Sequence, residues 1–198
     1  MNTLILALTL FVSALMPIQS RAEVGPTAQV ETLHAALLEA MQGGETLGFA
    51  GRRDSLVPVL EATFDFSTIS RLVTGRHWGS LGEADRAAFT DVFKALSAAT
   101  YADNFDSFSG ERFETRSTRS KGKAEIVRTV IIGSDGDETS LDYLLTQEDG
   151  TWRIVNVIAD GVSDISLKRS EYGGIIDQEG ITGLIAKLKA KVASYGDR

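Results

Sequence analysis

His34 and His77 are the only imidazoles in the chain, and it has no cysteine. Metal sites need clustered His, Cys or carboxylates at ligand spacing. The sequence offers no HxxxH, no HExxH and no cysteine pair, so neither a metal nor a cofactor is expected. The run from Asp135 to Glu138 resembles a fragment of a calcium loop without the closing glutamate of the twelve-residue pattern, and it reads as a solvated hairpin turn. Nucleophilic catalysis needs Ser or Thr beside a positioned base, yet the G-x-S-x-G elbow is absent, as are the phosphate-cradling glycine motifs. One carboxylate pair, Asp142 and Asp160, fits a general-base role in a small hydrolase or isomerase. With 27 acidic residues in the chain, surface positions are the plainer expectation for both. His77 reads as structural or interfacial. Arg112, Arg116, Arg119, Lys121, Lys123 and Arg128 form a basic stretch. It either meets anionic groups on a partner or pairs across strands with neighbouring acids.

The large apolar residues need elements to position them. Val30, Leu33, Leu37 and Leu38 lie near helical spacing, with Gly43-Gly44 as a stop. A second helix is expected from about Asp54 to Phe64, with Pro58 in its first turn. "FDFSTISRLVTGRHW" places Phe66, Ile69, Leu72 and Val73 on one side of a short amphipathic helix ending at Gly75, and Trp78 is expected to plug one end of the fold. Ser80 and Glu83 match a capping box. The helix that follows carries Phe89, Val92, Phe93 and Leu96, continued by Tyr101, Phe105 and Phe108. Such a broad aromatic face needs a concave partner or a ligand.

After Gly110 the period changes. "ERFETRSTR", "KAEIVRTVII", "TSLDYLLTQ" and "TWRIVNVIA" read as four strands joined by turns of Gly and Asp. Links this short allow only hairpins, so an antiparallel meander is expected. Ile154, Val155, Val157 and Ile158 make the last strand apolar on both faces, so it is either covered on both sides or lines a cavity with one face. Ile181, Leu184, Ile185, Leu188 and Val192 mark a closing helix. The expected class is α+β, with helices packed on a curved antiparallel sheet of four or more strands.

The first residues predict the compartment. The apolar run from Leu4 to Met16 is shorter than the roughly 18 residues of a membrane span. Small residues at Ser20 and Ala22 then fit signal-peptidase cleavage after Ala22. Two segments are expected: a signal peptide, 1–22, and a single domain, 23–198. Without cysteine there is no lipoprotein anchor, which predicts a freely diffusing periplasmic or secreted protein. The formal net charge of -7 argues against nucleic acid as a partner.

"FDFSTISRLVTGRHW", "ATYADNFDSFSGERF", "LDYLLTQEDGTWRIVNVIADGVSDISLKRSEY" and "GITGLIAKL" together resemble the MlaC/toluene-tolerance family of periplasmic lipid-binding proteins, in order from about Phe64 to Leu188. Within it, the second and third blocks are similar to the hopanoid-associated HpnM branch. The sequence departs from the family at Asn156, where Asp is usual, and at His77. The resemblance implies a fold related to nuclear-transport-factor-like domains, enclosing a hydrophobic pocket. It implies a non-enzymatic shuttle that carries hopanoid or phospholipid between an inner-membrane transporter and an outer-membrane complex. The transporter would be of the resistance-nodulation-division or MCE type, and the shuttle itself a monomer. The pocket residues expected on this reading are Leu72, Phe93, Leu96, Tyr101, Phe105, Val130, Ile132, Tyr143, Leu145, Val155 and Val157. A solid-cored adaptor that binds a membrane complex through Arg112 to Arg128 is the alternative.

Overall fold

The computed structural model describes residues 24–196. The expected signal peptide and its cleavage after Ala22 lie outside the described residues. Helix α1 (Pro26–Thr63) starts at Pro26, whose missing N–H falls on an amide that has no helical partner anyway. Helical geometry breaks at Gly44 (φ 36°, ψ −123°) and again at Gly48 (φ 59°, ψ 179°). The expected stop is therefore a kink. The helix resumes well before Asp54, which puts Pro58 in its interior and not in a first turn. Arg52 fastens the kink: it is 7% exposed, and its guanidinium donates to the carbonyls of Gly44 at 2.9 Å and Ala102 at 3.0 Å.

Helix α2 (Phe66–Thr74) is capped by Asp65, whose carboxylate accepts from the Thr68 amide at 2.8 Å. It ends at Gly75, whose φ of 56° and ψ of −121° suit only glycine. A 3-10 turn (Gly75–Ser80) leads to α3 (Glu83–Asn104). The capping box does not form. Gly82 is the N-cap, and the Ser80 hydroxyl instead donates to the His77 carbonyl at 2.8 Å. Because α3 stops at Asn104, Phe105 becomes its C-cap, and Phe108 lies beyond the helix and 42% exposed. Trp78 packs against the hydrophobic core. It stays half-buried beside the start of α3, with the Arg86 guanidinium 5.3 Å from its ring centre.

The strands β1 (Arg112–Lys121), β2 (Ala124–Ile132), β3 (Glu138–Glu148) and β4 (Thr151–Ala159) form the expected antiparallel meander, and a two-residue β5 (Val162–Ser163) extends it in chain order. Helix α4 (Asp164–Gly196), broken at Gly180, closes the domain, with Leu184, Ile185 and Leu188 buried. The architecture is α+β: helices packed on one face of a curved five-stranded sheet. The Arg153 guanidinium donates to the Glu61 and Ala62 carbonyls at 3.0 and 3.3 Å and so ties the end of α1 to β4. The Asp65 amide reaches the Ile154 carbonyl at 3.0 Å, which sets α2 directly over that strand.

Strand register sorts the two faces. Thr129 pairs with Leu141 and Val127 with Tyr143, on the helix-covered side. By alternation, Ile126, Val130 and Ile132 face the other way, beside Glu114, Glu138 and the basic residues of β1. Arg116 contacts Glu114 at 2.7 Å and Glu138 at 2.6 Å, Arg112 contacts Glu114 at 3.1 Å, and Arg128 contacts Asp142 at 3.3 Å. Ion pairs thus occupy half of the basic stretch, Arg116 and Arg128 across strands and Arg112 within β1, and Val130 and Ile132 are buried on this same face.

The double apolar character of β4 combines a face that lines a cavity, one of the two alternatives expected, through Val155 and Val157, with a bulge. The β3–β4 register shifts between Leu144 and Leu145, so that Leu144 pairs with Asn156 but Leu145 with Ile154, leaving Val155 as an extra residue. A bulge of this kind aims consecutive side chains at one side of the sheet. Ile154 enters the core at 0% exposure, Val155 is buried next to it, and no second covering layer is required.

Candidate functional site

Between α2, α3, the start of α4 and the inner face of β3–β4 lies a half-open cavity of about 390 Å³. Its size is within the range of small-molecule sites, about 300–1,000 Å³. The sheet supplies Leu141, Tyr143, Val155 and Val157, α3 supplies Phe93, Leu96 and Tyr101, and Phe105 follows at the helix end. Helix α2 contributes Phe66 and Ile69. Tyr101 and Phe105 stack at 5.9 Å between centroids, and Phe66 meets Phe93 edge-on at 6.1 Å, so the wall is a continuous aromatic surface.

Polar groups gather towards β5 and the first turn of α4. Asp164 and Lys168 form an i, i+4 ion pair, and the Asn156 carboxamide accepts from the Ile165 amide at 3.3 Å and donates to the Ser163 hydroxyl at 3.0 Å. Asn156 thus does local work at the start of α4, which a neutral amide can perform from both ends. Val162 and Leu167 line the cavity yet are 51% and 59% exposed, marking this as the mouth.

Of the residues expected to line a pocket, Phe93, Leu96, Tyr101, Phe105, Tyr143, Val155 and Val157 surround this one space. Leu72, Val130, Ile132 and Leu145 lie outside it. Val130 and Ile132 take the outer sheet face, Leu145 is sealed in the core opposite Ile154, and Leu72 is half-buried near the far end of α2. Alternation alone does not say which face of β2 is inward. The residues that sequence reasoning missed, Phe64, Phe66, Ile69, Leu141 and the mouth residues, come from elements flanking the expected aromatic helix. Phe66 and Ile69 were visible as an apolar stripe, but only the Asp65–Ile154 hydrogen bond shows that the stripe overlies β4.

Behind the cavity wall sits His34, 5% exposed. Its Nε2 is 3.0 Å from the Tyr143 hydroxyl, and its ring stacks on Phe113 at 4.0 Å. Burial lowers its pKa to about 4, so the ring is neutral near pH 7. Burial likewise pushes the Tyr101 and Tyr143 hydroxyls up, keeping both protonated. His77 is remote from the cavity, with Nε2 3.4 Å from Asp177. The Arg76 guanidinium, which donates to Asp177 at 2.5 Å, holds that carboxyl below its usual range.

The carboxylates considered for catalysis stand elsewhere. Asp142 pairs with Arg128 on the outer face, and the Asp160 carboxylate accepts from the Ser140 amide at 2.9 Å in the turn after β4. Neither lines the cavity. Among the described residues, no group of three or more His, Cys, Asp or Glu is placed to hold a metal ion.

A family model, MlaC protein, matches residues 31–190. The chain belongs to the MlaC family. One curated relative is the intermembrane phospholipid transport system binding protein MlaC of Haemophilus influenzae, 24% identical over 142 residues. The aligned region covers 69% of this chain and 64% of that relative's length. Among solved structures, the phospholipid-binding protein from Ralstonia solanacearum, determined in complex with a phospholipid, superposes with a TM-score of 0.73 at 19% identity. The match covers 85% of this chain and 97% of that one. The MlaC fold, with helices cupped on a curved meander, is thus shared at low identity.

Proposed function

We propose that the chain is a periplasmic carrier that shields the apolar part of a membrane lipid between an inner-membrane transporter and an outer-membrane complex, without catalysing a reaction. The observation that carries this reading is the half-open, aromatic-walled cavity of about 390 Å³. A phospholipid complex of a protein with the same fold supports it. At roughly 30 Å³ per methylene, taken as equal to a water's share of liquid volume, the cavity holds about 13 methylenes, or one acyl chain. At about 0.8 kcal/mol per methylene this burial is worth on the order of 10 kcal/mol. A bilayer offers the same chain equivalent burial, so exchange is nearly balanced and a partner that opens the mouth sets its direction. The carrier then acts as a monomer, exported by a signal peptide cleaved after Ala22.

A second cargo, hopanoid, is favoured by one feature: six of the lining residues are aromatic (Phe64, Phe66, Phe93, Tyr101, Phe105 and Tyr143). A rigid fused-ring lipid suits such a wall better than a branched cleft would. The test is transfer of fluorescent phospholipid from donor to acceptor vesicles. The rate is expected to rise in proportion to substoichiometric protein. No acceleration, with phospholipid or with labelled hopanoid, would rule out the carrier.

A further inference from the structure

The cavity is zoned. Its aromatic wall gives way along α3 to Ser97, Thr100 and the exposed Asn104, which share one side of the helix at i, i+3 and i+7. From α4, Asp164 and Lys168 face the same space, the one acid and the one base among its described lining residues. The Lys168 ammonium donates to the Asp164 carboxylate, and the two side chains are 26% and 48% exposed. Leu167, next to Lys168, stands at the mouth. The carboxylate is felt on α3, where burial foremost, then the charges of Tyr143 and Asp164, push the Tyr101 hydroxyl up. The first amides of α4 are already engaged, that of Ile165 by Asn156 and that of Ser166 by Ser163. The two charged side chains, and not the helix end, are therefore what the mouth offers a ligand.

We propose that Asp164 and Lys168 form a headgroup site that selects a zwitterionic lipid, Lys168 taking its phosphate and Asp164 its ammonium. The inference rests on the carrier reading and adds to it the residues that discriminate among cargo heads. An acyl chain in the aromatic cavity brings its polar head to the mouth, where this pair holds the charges of the lining. The resting pair is a part-exposed i, i+4 contact, weak enough to yield to a ligand. The exchange keeps every charge matched: Lys168 trades a carboxylate for a phosphate, and Asp164 trades one ammonium for another. A head with a phosphate and no ammonium takes Lys168 but leaves Asp164 unpaired beside an anion. An uncharged head leaves the pair closed and gains nothing from it. The same two residues thus rank three classes of head.

The test offers the chain, purified free of lipid, to vesicles of dioleoylphosphatidylcholine doped equally with dioleoylphosphatidylethanolamine, dioleoylphosphatidylglycerol and dioleoylglycerol. After the vesicles are pelleted, the lipids left on the protein are counted by mass spectrometry. Lys168→Met is expected to lower the ratios of phosphatidylethanolamine and of phosphatidylglycerol to dioleoylglycerol about tenfold each, the loss of one charge-assisted hydrogen bond. Lys168→Arg is expected to keep them. Asp164→Asn is expected to lower the ratio of phosphatidylethanolamine to phosphatidylglycerol about threefold, as befits a part-exposed pair. An ion pair that only steadied α4 would change the uptake of all three lipids alike. An unaltered ratio in Lys168→Met or in Asp164→Asn would therefore overturn the headgroup site and leave the carrier intact. No uptake of any lipid by the wild type would overturn both readings. In a second arm, inorganic phosphate or glycerophosphoethanolamine, neither of which has an acyl chain, is added in excess. The wild-type ratios are expected to hold; their loss would reassign the pair to free anions and overturn the lipid assignment.

Discussion

Glutamate in place of Val155 is expected to abolish lipid binding while the chain stays folded. Val155 is 3% exposed, yet it is the extra residue of the β4 bulge and its side chain lines the cavity. In the empty protein a carboxylate there has the cavity for its water. Once an acyl chain enters, that water must leave. Stripping an unpaired charge costs several kcal/mol, so affinity should fall on the order of a thousandfold or more. Val155→Ala removes only a small contact and should change affinity far less. The check is lipid extraction from purified variants beside their melting curves. A Val155→Glu protein that melts normally and still carries lipid would remove Val155 from the wall.

The second large effect is on stability and follows from His34. Its pKa falls from an ordinary value near 6.5 to about 4 in the fold, because burial against Phe113 and Tyr143 disfavours the charged ring. Between those values the unfolded chain binds the additional proton, so stability increases with pH. The contribution is fully present above about pH 6.5 and is lost as pH falls towards 4. Its size is about 3 kcal/mol, or roughly 10 °C in Tm for a chain of this length. His34→Gln keeps a polar partner for the Tyr143 hydroxyl without a titrating ring. The difference between wild type and His34→Gln in melting temperature should therefore change across pH 4 to 6.5. A difference that is constant over that window would show that His34 titrates normally.

The sheet was legible because its turns are short and rich in Gly and Asp, which left hairpins as the only connection between four β-rich runs. The Gly75 end of α2 was legible for a similar reason, since few residues tolerate its backbone. What the sequence concealed is long-range. The S-x-x-E pattern at Ser80 and Glu83 is a local signal, but the 3-10 turn after Gly75 claims the Ser80 hydroxyl for His77 and leaves Gly82 to start α3. Val130 and Ile132 look as fit for a pocket as Val155 and Val157. Only strand pairing puts the first two under the Arg116–Glu114–Glu138 cluster and the other two inside. The bulge at Val155 imitates a strand buried on both faces, and no periodicity separates the two cases. Phe66 read as part of the apolar stripe of the short helix, because its place in the cavity wall depends on α2, α3 and the sheet at once.

The claim that this MlaC-family chain carries lipid is tested most directly by native mass spectrometry, with lipid extraction, of residues 23–198 purified from the periplasm of a hopanoid-producing bacterium. A protein mass increased by one lipid is expected, with phospholipid or hopanoid recovered in the extract. A bare protein mass, unchanged after both lipids are supplied, would contradict it and favour an adaptor that works through its surface.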